Sequence, residues 1–339
     1  MKGTTLFYFC YDHQRPTGGQ KRTYRHVDIL NKSGYEAYVL HSRPDFRLTW
    51  FEHSTAVVDG RTFARMYDAE TDYLVLPEDL GQRIGAWPGR KVILNKNLYR
   101  GFHSFGAHEV ARYPYHDAHV VAAFTISEHN RRHLQFTYPH LPIFKLETGI
   151  DAEFFKYRPL TDKKRQVVCS CKRPAETLTL YHMLRSRAAA GLNRSAEYEW
   201  VFLNERPQST ISQLFQESPL FIFLSIEEGF ARMPLEAMMC GCLVVGHQIG
   251  VTAELPPFAF NAPLDESLST VVFIERVLAE WHHATTAWEH VAETARSLAV
   301  KFQGDREEAS VRQAWGQVLL LAHQRSISPS LAEGSAAVR

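Results

Sequence analysis

The chain has only five cysteines in 339 residues, an odd number that gives no basis for a disulfide framework. Four form two close pairs, Cys169/Cys171 and Cys240/Cys242, with one residue between partners. Paired zinc ligands usually stand two or more residues apart. Both pairs sit in apolar text and read as small buried thiols, so no metal site is expected. No apolar stretch approaches the ~20 residues that span a bilayer. The opening MKGTTLFYFCYDHQRP turns polar before a signal-peptide core could form. A cytoplasmic protein, at most peripheral at the inner face of a membrane, is expected. Low-complexity tracts are missing, as are repeats of about 20–50 residues. Charge of one sign is also missing: the net charge is +1. Residues 1–150 hold 19 Lys+Arg against 15 Asp+Glu, and the remainder holds 19 against 22. That is no dense basic stripe, so no nucleic-acid partner is expected. The asymmetry suits an anionic acceptor or a lipid surface, and equally an ordinary scatter of surface charge.

What is present is a globular composition, 45% hydrophobic and 22% charged, with length for two domains. Residues 4–11 read as an aromatic-rich strand. A polar turn with Pro16, Gly18 and Gly19 follows, then a helix from Gln20 that stops at Gly34. Further strands are expected at 35–41, 73–76, 91–94 and 119–126, with Ser127 as a helix N-cap. Gly149, Ile150 and Asp151 interrupt this pattern. A second series then places strands at 167–171, 198–203, 220–224 and 243–245. After residue 265 the text is helical. Alternating strands and helices, twice over, predict two parallel-sheet α/β domains. The expected division is 1–150, 151–325 with terminal helices, and a flexible tail at 326–339. Ligands of such sheets bind beyond the carboxyl ends of the strands. The expected cleft has Gly18 and Gly19 on one wall and Glu228 and Glu236 on the other.

The most informative text is LFIFLSIEEGFARMPLEAMMCGCLVVG. A buried strand runs into a loop with Glu227, Glu228 and Gly229, then into a helix that begins near Met233 and Pro234 and stops at Gly241. Proline is tolerated in a first helical turn. Backbone amides at that helix start suit a diphosphate. A carboxylate there can accept two hydroxyl hydrogen bonds, as from a ribose.

This segment resembles the donor-binding signature of retaining glycosyltransferases of the GT-B fold, in particular those of family 4. The resemblance implies two Rossmann-like domains that face a cleft. It puts Glu228 on the donor-sugar hydroxyls and Glu236 on the ribose. It puts Gly229 and the amides of Phe230, Ala231, Arg232 and Met233 around the diphosphate. Ala231 stands where the family has glycine, and Pro234 stands one position late, which implies a remodelled loop. Gly18 and Gly19 resemble the glycine-rich loop of the first domain, which implies a donor-binding role in which the backbone approaches the donor phosphates and the acceptor closely. Thr148, Gly149, Ile150 and Asp151 resemble the interdomain linker. Lys172 and Arg173 fall where basic residues neutralise the leaving diphosphate. Asn95, Lys96 and Asn97, followed by Tyr99 and His103, look like the acceptor loop of bacterial polysaccharide members. There a histidine lies beside the reacting carbon: His103 is the choice, with His108 and His116 as rivals.

The implied activity is hexosyl or deoxyhexosyl transfer from a nucleotide diphosphate-sugar to a saccharide or lipid-linked saccharide, with no cofactor beyond the donor. Rival readings are a GT-B phosphorylase or epimerase, and a catalytically silent GT-B subunit. The segment from Asn204 to Arg206 is the expected base-recognition loop.

Overall fold

The computed structural model describes residues 3–103, 105–106, 113–204, 206–281 and 289–327. His108, Glu205 and residues 328–339 of the expected tail lie outside that set. The chain divides into two compact units. The first takes residues up to Ile126, Asn130–Glu147 and the chain from Glu307, and the second takes Ser127–His129 and Thr148–Arg306.

The first unit is built from β1 (Thr5–Phe9), α1 (Gly18–Lys32), β2 (Glu36–His41), β3 (Val57–Asp59), α2 (Gly60–Met66), β4 (Tyr73–Pro77), β5 (Arg90–Asn95), α3 (Leu98–His103), β6 (Val120–Thr125), α4 (Glu128–Thr137) and β7 (Ile143–Lys145). Among the described residues its strands form one parallel sheet in the order β3-β2-β1-β4-β5-β6-β7. β1 and β4 are buried along their whole length. A parallel sheet covered on both faces calls for such near-continuous apolar strands. The period of two divides them: Leu6 and Tyr8 join one core, Phe7 and Phe9 the other.

The second unit contains β8 (Gln166–Ser170), α5 (Pro174–Ala189), β9 (Glu199–Leu203), α6 (Gln208–Glu217), β10 (Leu220–Phe223), α7 (Arg232–Met239), β11 (Leu243–Gly246), β12 (Phe260–Asn261), α8 (Leu268–Glu280) and α9 (Glu289–Lys301), and α10 (Gly304–Ile327) follows. Its sheet is also parallel, in the order β12-β11-β10-β8-β9. Phe221 and Phe223 face one core, Leu220 and Ile222 the other. Lys163 is buried between helix ends. Its ammonium donates to the carbonyls of Phe215 at 2.9 Å and Gln216 at 3.2 Å, near the end of α6. It also donates to Cys240 at 2.9 Å, at the end of α7, where a cation suits the helix dipoles.

Several expectations change. α1 starts two residues early: Gly18 and Gly19 are helical, and the Thr17 hydroxyl accepts from the Gln20 N–H at 3.2 Å. The expected second domain ran to residue 325, yet the chain from Glu307 packs on the first unit. Burial explains this: Trp315 is 0% exposed in that core, and its indole N–H donates to the Tyr8 hydroxyl at 2.7 Å. The short strands β3, β7 and β12 were not expected. Cys169, Cys240 and Cys242 are buried free thiols, whereas Cys171 is half-buried.

Candidate functional site

In a doubly wound sheet the natural binding crevice lies where the strand order reverses. In the second unit this is between β8 and β10, because α5 carries the chain from β8 to β9 on one side. α7 carries it from β10 to β11 on the other. The two loops at that point hold Lys172 and Arg173 after β8, and the stretch Ser225 to Phe230 after β10.

Lys172 and Glu228 meet across it. The ammonium lies 2.5 Å from Glu228 Oε1 and 2.7 Å from Oε2. The Ser225 hydroxyl also donates to Oε1, at 2.5 Å. Glu228 is buried, while the Lys172 side chain is 48% exposed. One end of the pair is therefore fixed and the other open to solvent.

Beyond Gly229 the loop turns at Ala231, with φ −80° and ψ 77°. The Arg232 N–H reaches back to the Phe230 carbonyl at 2.9 Å, an inverse γ-turn. Alanine takes this backbone without strain, and its methyl is buried in the core. The expected remodelling is this tight turn rather than a left-handed bend. α7 then begins at Arg232; Ala231 offers no polar side chain to cap it, the Arg232 N–H is held in the turn, and Pro234 has no N–H. Glu236 is buried one turn on, with Arg232 Nε 3.3 Å from its Oε1. α7 ends at Gly241, at φ +81°. Gly241 N–H bonds Met238 O and Cys242 N–H bonds Ala237 O, both at 2.9 Å, the paired bonds of a Schellman stop.

Arg173 occupies the N-cap position of α5. Its Nε lies 3.0 Å from Glu176 Oε2. The other Glu176 oxygen is 2.7 Å from Nε2 of His247, a buried residue just after β11. Neither Glu176 nor His247 was expected. Only adjacency to Lys172 and to the last apolar strand could have flagged them. Among the described residues no group of three or more His, Cys, Asp and Glu stands where it could hold a metal ion.

In the first unit the strand order reverses between β1 and β4. Gly18 and Gly19 lie on the β1 side. A Cβ on Gly19 would stand 3.3 Å from Lys96 Cδ and 3.6 Å from its Nζ, so the glycine lets the lysine cross the start of α1. On the β4 side Glu78 is only 2% exposed, and its Oε2 has no hydrogen-bond partner among the described residues. Burial pushes its carboxyl up to about 7 against the pull of the Lys96 ammonium. Its neighbour Asp79 accepts from the Tyr11 hydroxyl at 3.0 Å. The Pro77-Glu78-Asp79 text after an apolar strand carries no local sign of that burial. His103 ends α3, exposed, with its ring centroid 6.4 Å from that of Tyr99. His116 is also exposed and packs on Tyr113 and Tyr138.

Two parallel-sheet α/β units, each with polar groups gathered at its switch point, define the GT-B class of fold. The comparisons agree. The family model described as "Glycosyl transferases group 1" matches residues 191–256, which include Glu228, Glu236 and the whole β10–α7–β11 segment. A sucrose-phosphate synthase from Thermosynechococcus elongatus is similar in fold, with TM-score 0.64 and 13% identity over 94% of this chain and 100% of its own. A glycosyltransferase from Rickettsia africae gives 0.62 and 12%, over 94% and 99%. Anabaena HepE in complex with UDP gives 0.58 and 15%, over 94% and 100%. No curated relative matches the sequence. The matched segment and the GT-B fold together support a glycosyltransferase that uses a nucleotide sugar.

Proposed function

We propose that this chain is a retaining glycosyltransferase of the family 4 type. It moves a hexosyl or deoxyhexosyl group from a nucleoside diphosphate sugar to a hydroxyl of a saccharide or lipid-linked saccharide. The observation that carries this reading is the Lys172–Glu228 pair at the switch point, joined to the uncapped start of α7 inside the matched segment. One cation suits a diphosphate, one carboxylate suits sugar hydroxyls, and the helix amides suit the phosphate oxygens. The structures of Anabaena HepE with UDP and with UDP-glucose, and of an Arabidopsis starch synthase with ADP, support a donor of this chemical class.

In the reaction the bond between the sugar C1 and the diphosphate oxygen breaks. A bond from the acceptor oxygen to C1 forms on the same face. The acceptor proton passes to the departing diphosphate, so no protein nucleophile is required. Lys172, Arg173 and the amides of Phe230, Ala231 and Met233 stabilise the charge that develops on the leaving group, and the Arg232 N–H, held by the Phe230 carbonyl, shapes the loop that presents them. Glu228 orients the sugar and Glu236 accepts from the ribose hydroxyls. Gly18 and Gly19 let the backbone approach the donor phosphates and the acceptor, and His103 acts beside the reacting carbon. The donor is the substrate and no further cofactor takes part. Among the described residues no helix is long and apolar enough to cross a membrane. Work at the cytoplasmic face, with peripheral contact to a lipid-linked acceptor, fits that and belongs to cell-surface or exopolysaccharide synthesis.

A thermal-shift series with UDP, GDP, dTDP and ADP, each beside its monophosphate, tests the reading. A ligand held by the folded state raises its apparent stability. One diphosphate should raise Tm by several degrees and its monophosphate by less. Equal shifts for both members of every pair would remove the diphosphate site.

A further inference from the structure

At the carboxyl edge of the second sheet, Lys172 pairs with Glu228, Arg232 with Glu236, and Arg173 with Glu176. The third pair has a buried group behind it. His247 follows Gly246, the last residue of β11, where a Cβ would stand 1.8 Å from the Phe223 carbonyl oxygen. β10 and β11 therefore approach too closely there for any side chain, and the first one the chain can place after this contact is the imidazole.

Both nitrogens of that imidazole are engaged. Nδ1 lies 2.8 Å from the Ala262 carbonyl oxygen, and Nε2 lies 2.7 Å from Glu176 Oε1. A carbonyl oxygen only accepts, so Nδ1 carries a proton. A carboxylate oxygen also accepts, so the short Nε2 contact is satisfied when the ring carries its second proton. Glu176 thus stands between the His247 imidazole and the Arg173 guanidinium. Its Oε2 faces Arg173 Nε at 3.0 Å without hydrogen-bond alignment and has no other partner among the described residues. Ala262 has its own fixed place, because its N–H bonds the Gly246 carbonyl at 2.8 Å. The chain of contacts runs from a strand-held carbonyl, through His247 and Glu176, to a guanidinium at the edge of the crevice.

We infer that His247 is a positioning residue for the diphosphate site: acting through Glu176, it holds the Arg173 guanidinium for the leaving group. This rests on the role given to Arg173 above. Two effects operate. The anchored carboxylate limits the wandering of a long side chain at a loop-to-helix junction. Engaging Glu176 Oε1 at His247 Nε2 also leaves more of the Arg173 charge for a diphosphate. Without the imidazole, both Glu176 oxygens would be open to Arg173 and compete with the ligand.

The test is a double-mutant cycle read as the affinity of UDP, ADP and GDP by calorimetry, on the full chain. Arg173→Ala should weaken the binding nucleotide about tenfold or more. His247→Phe should weaken it about three- to tenfold. In the Arg173→Ala background, His247→Phe should cost nothing further, because residues that act as one unit are not additive. In the Glu236→Ala background its cost should remain whole, which a general loss of structure at His247 would not reproduce selectively. Glu176→Gln repeats the cycle from the half-exposed member of the chain, should His247→Phe unfold. A loss at Arg173 with none at His247, or losses that add in full, would overturn the inference alone. No loss at Arg173→Ala would overturn the diphosphate role of Arg173, and the inference with it.

Discussion

Lys172 and Glu228 join the two loops that part at the reversal of strand order in the second unit. The lysine Nζ lies 2.5 and 2.7 Å from the two carboxylate oxygens. The lysine follows β8 and the glutamate follows β10. A diphosphate sugar bound there exchanges this contact for two others: the ammonium turns to the leaving group, and the carboxylate to the sugar hydroxyls. Glu228 stays oriented during that exchange because Ser225 also holds it.

Replacing Lys172 by Met removes the cation and leaves a buried carboxylate with only a hydroxyl partner. Turnover should fall on the order of 10²–10³-fold, the usual cost of one electrostatic donor to a transition state. Glu228→Gln keeps the shape and should retain nucleoside diphosphate binding while slowing turnover. Steady-state kinetics on both variants reads this; unchanged turnover in either would make the pair a surface contact.

Glu236→Ala should weaken nucleotide binding about 10- to 100-fold, since hydrogen bonds to a charged group contribute roughly 1.5–3 kcal/mol. The carboxylate is buried, and among the described residues its side-chain partner is Arg232 at 3.3 Å, which leaves lone pairs to accept from a ribose. Calorimetry with the preferred nucleotide decides it. Wild-type affinity in the variant would sink the ribose assignment.

The text around this site was legible because its signals are local. The apolar run at 220–224 and the helix stop at Gly241 each depend on neighbours a few residues away, and both elements stand where expected. Other features depend on distant partners. β3, β7 and β12 are two or three residues long and exist through pairing with a neighbouring strand. The return of α10 to the first unit depends on Trp315 finding Tyr8, 307 residues away in sequence. Glu78 and His247 were missed for the same reason: burial makes each unusual, and burial is a property of the fold. Ala231 looked like a defect in a glycine loop, yet its φ of −80° shows that this loop never needed glycine there.

Gly241 and Gly191 separate two costs of adding a methyl group. Both end helices with a positive φ, +81° and +74°. A Cβ on Gly191 meets nothing within 4 Å, whereas one on Gly241 would stand 2.8 Å from Tyr157 Cε2 and 2.9 Å from the Arg158 carbonyl oxygen. Gly191→Ala should cost about 1–2 kcal/mol from the left-handed backbone alone. Gly241→Ala should cost clearly more. Urea denaturation of the two variants checks the order, and equal losses would contradict it.

Glu78 should make stability fall as pH rises. Its folded carboxyl is pushed up to about 7 from an ordinary 4.5, so the folded state holds this proton more tightly than the unfolded one. Below about pH 4.5 the group is protonated in both states and costs nothing. Between about 4.5 and 7 only the unfolded chain ionises freely, and the fold loses up to about 3 kcal/mol. Glu78→Gln should remove that part of the slope in denaturation measured from pH 5 to 8. An unchanged slope would show that Glu78 ionises as freely in the fold as outside it.

The account stands most directly on the release of nucleoside diphosphate from UDP-, GDP-, ADP- and dTDP-glucose, followed for the wild type and for Glu228→Gln. Slow hydrolysis without any acceptor is enough. The account predicts release from one donor class by the wild type, with the C1 configuration retained in the sugar product, and a loss on the order of 10²-fold in the variant. Binding of a nucleotide with no release from any donor would make the chain a silent GT-B subunit, and release undiminished in Glu228→Gln would place the chemistry elsewhere.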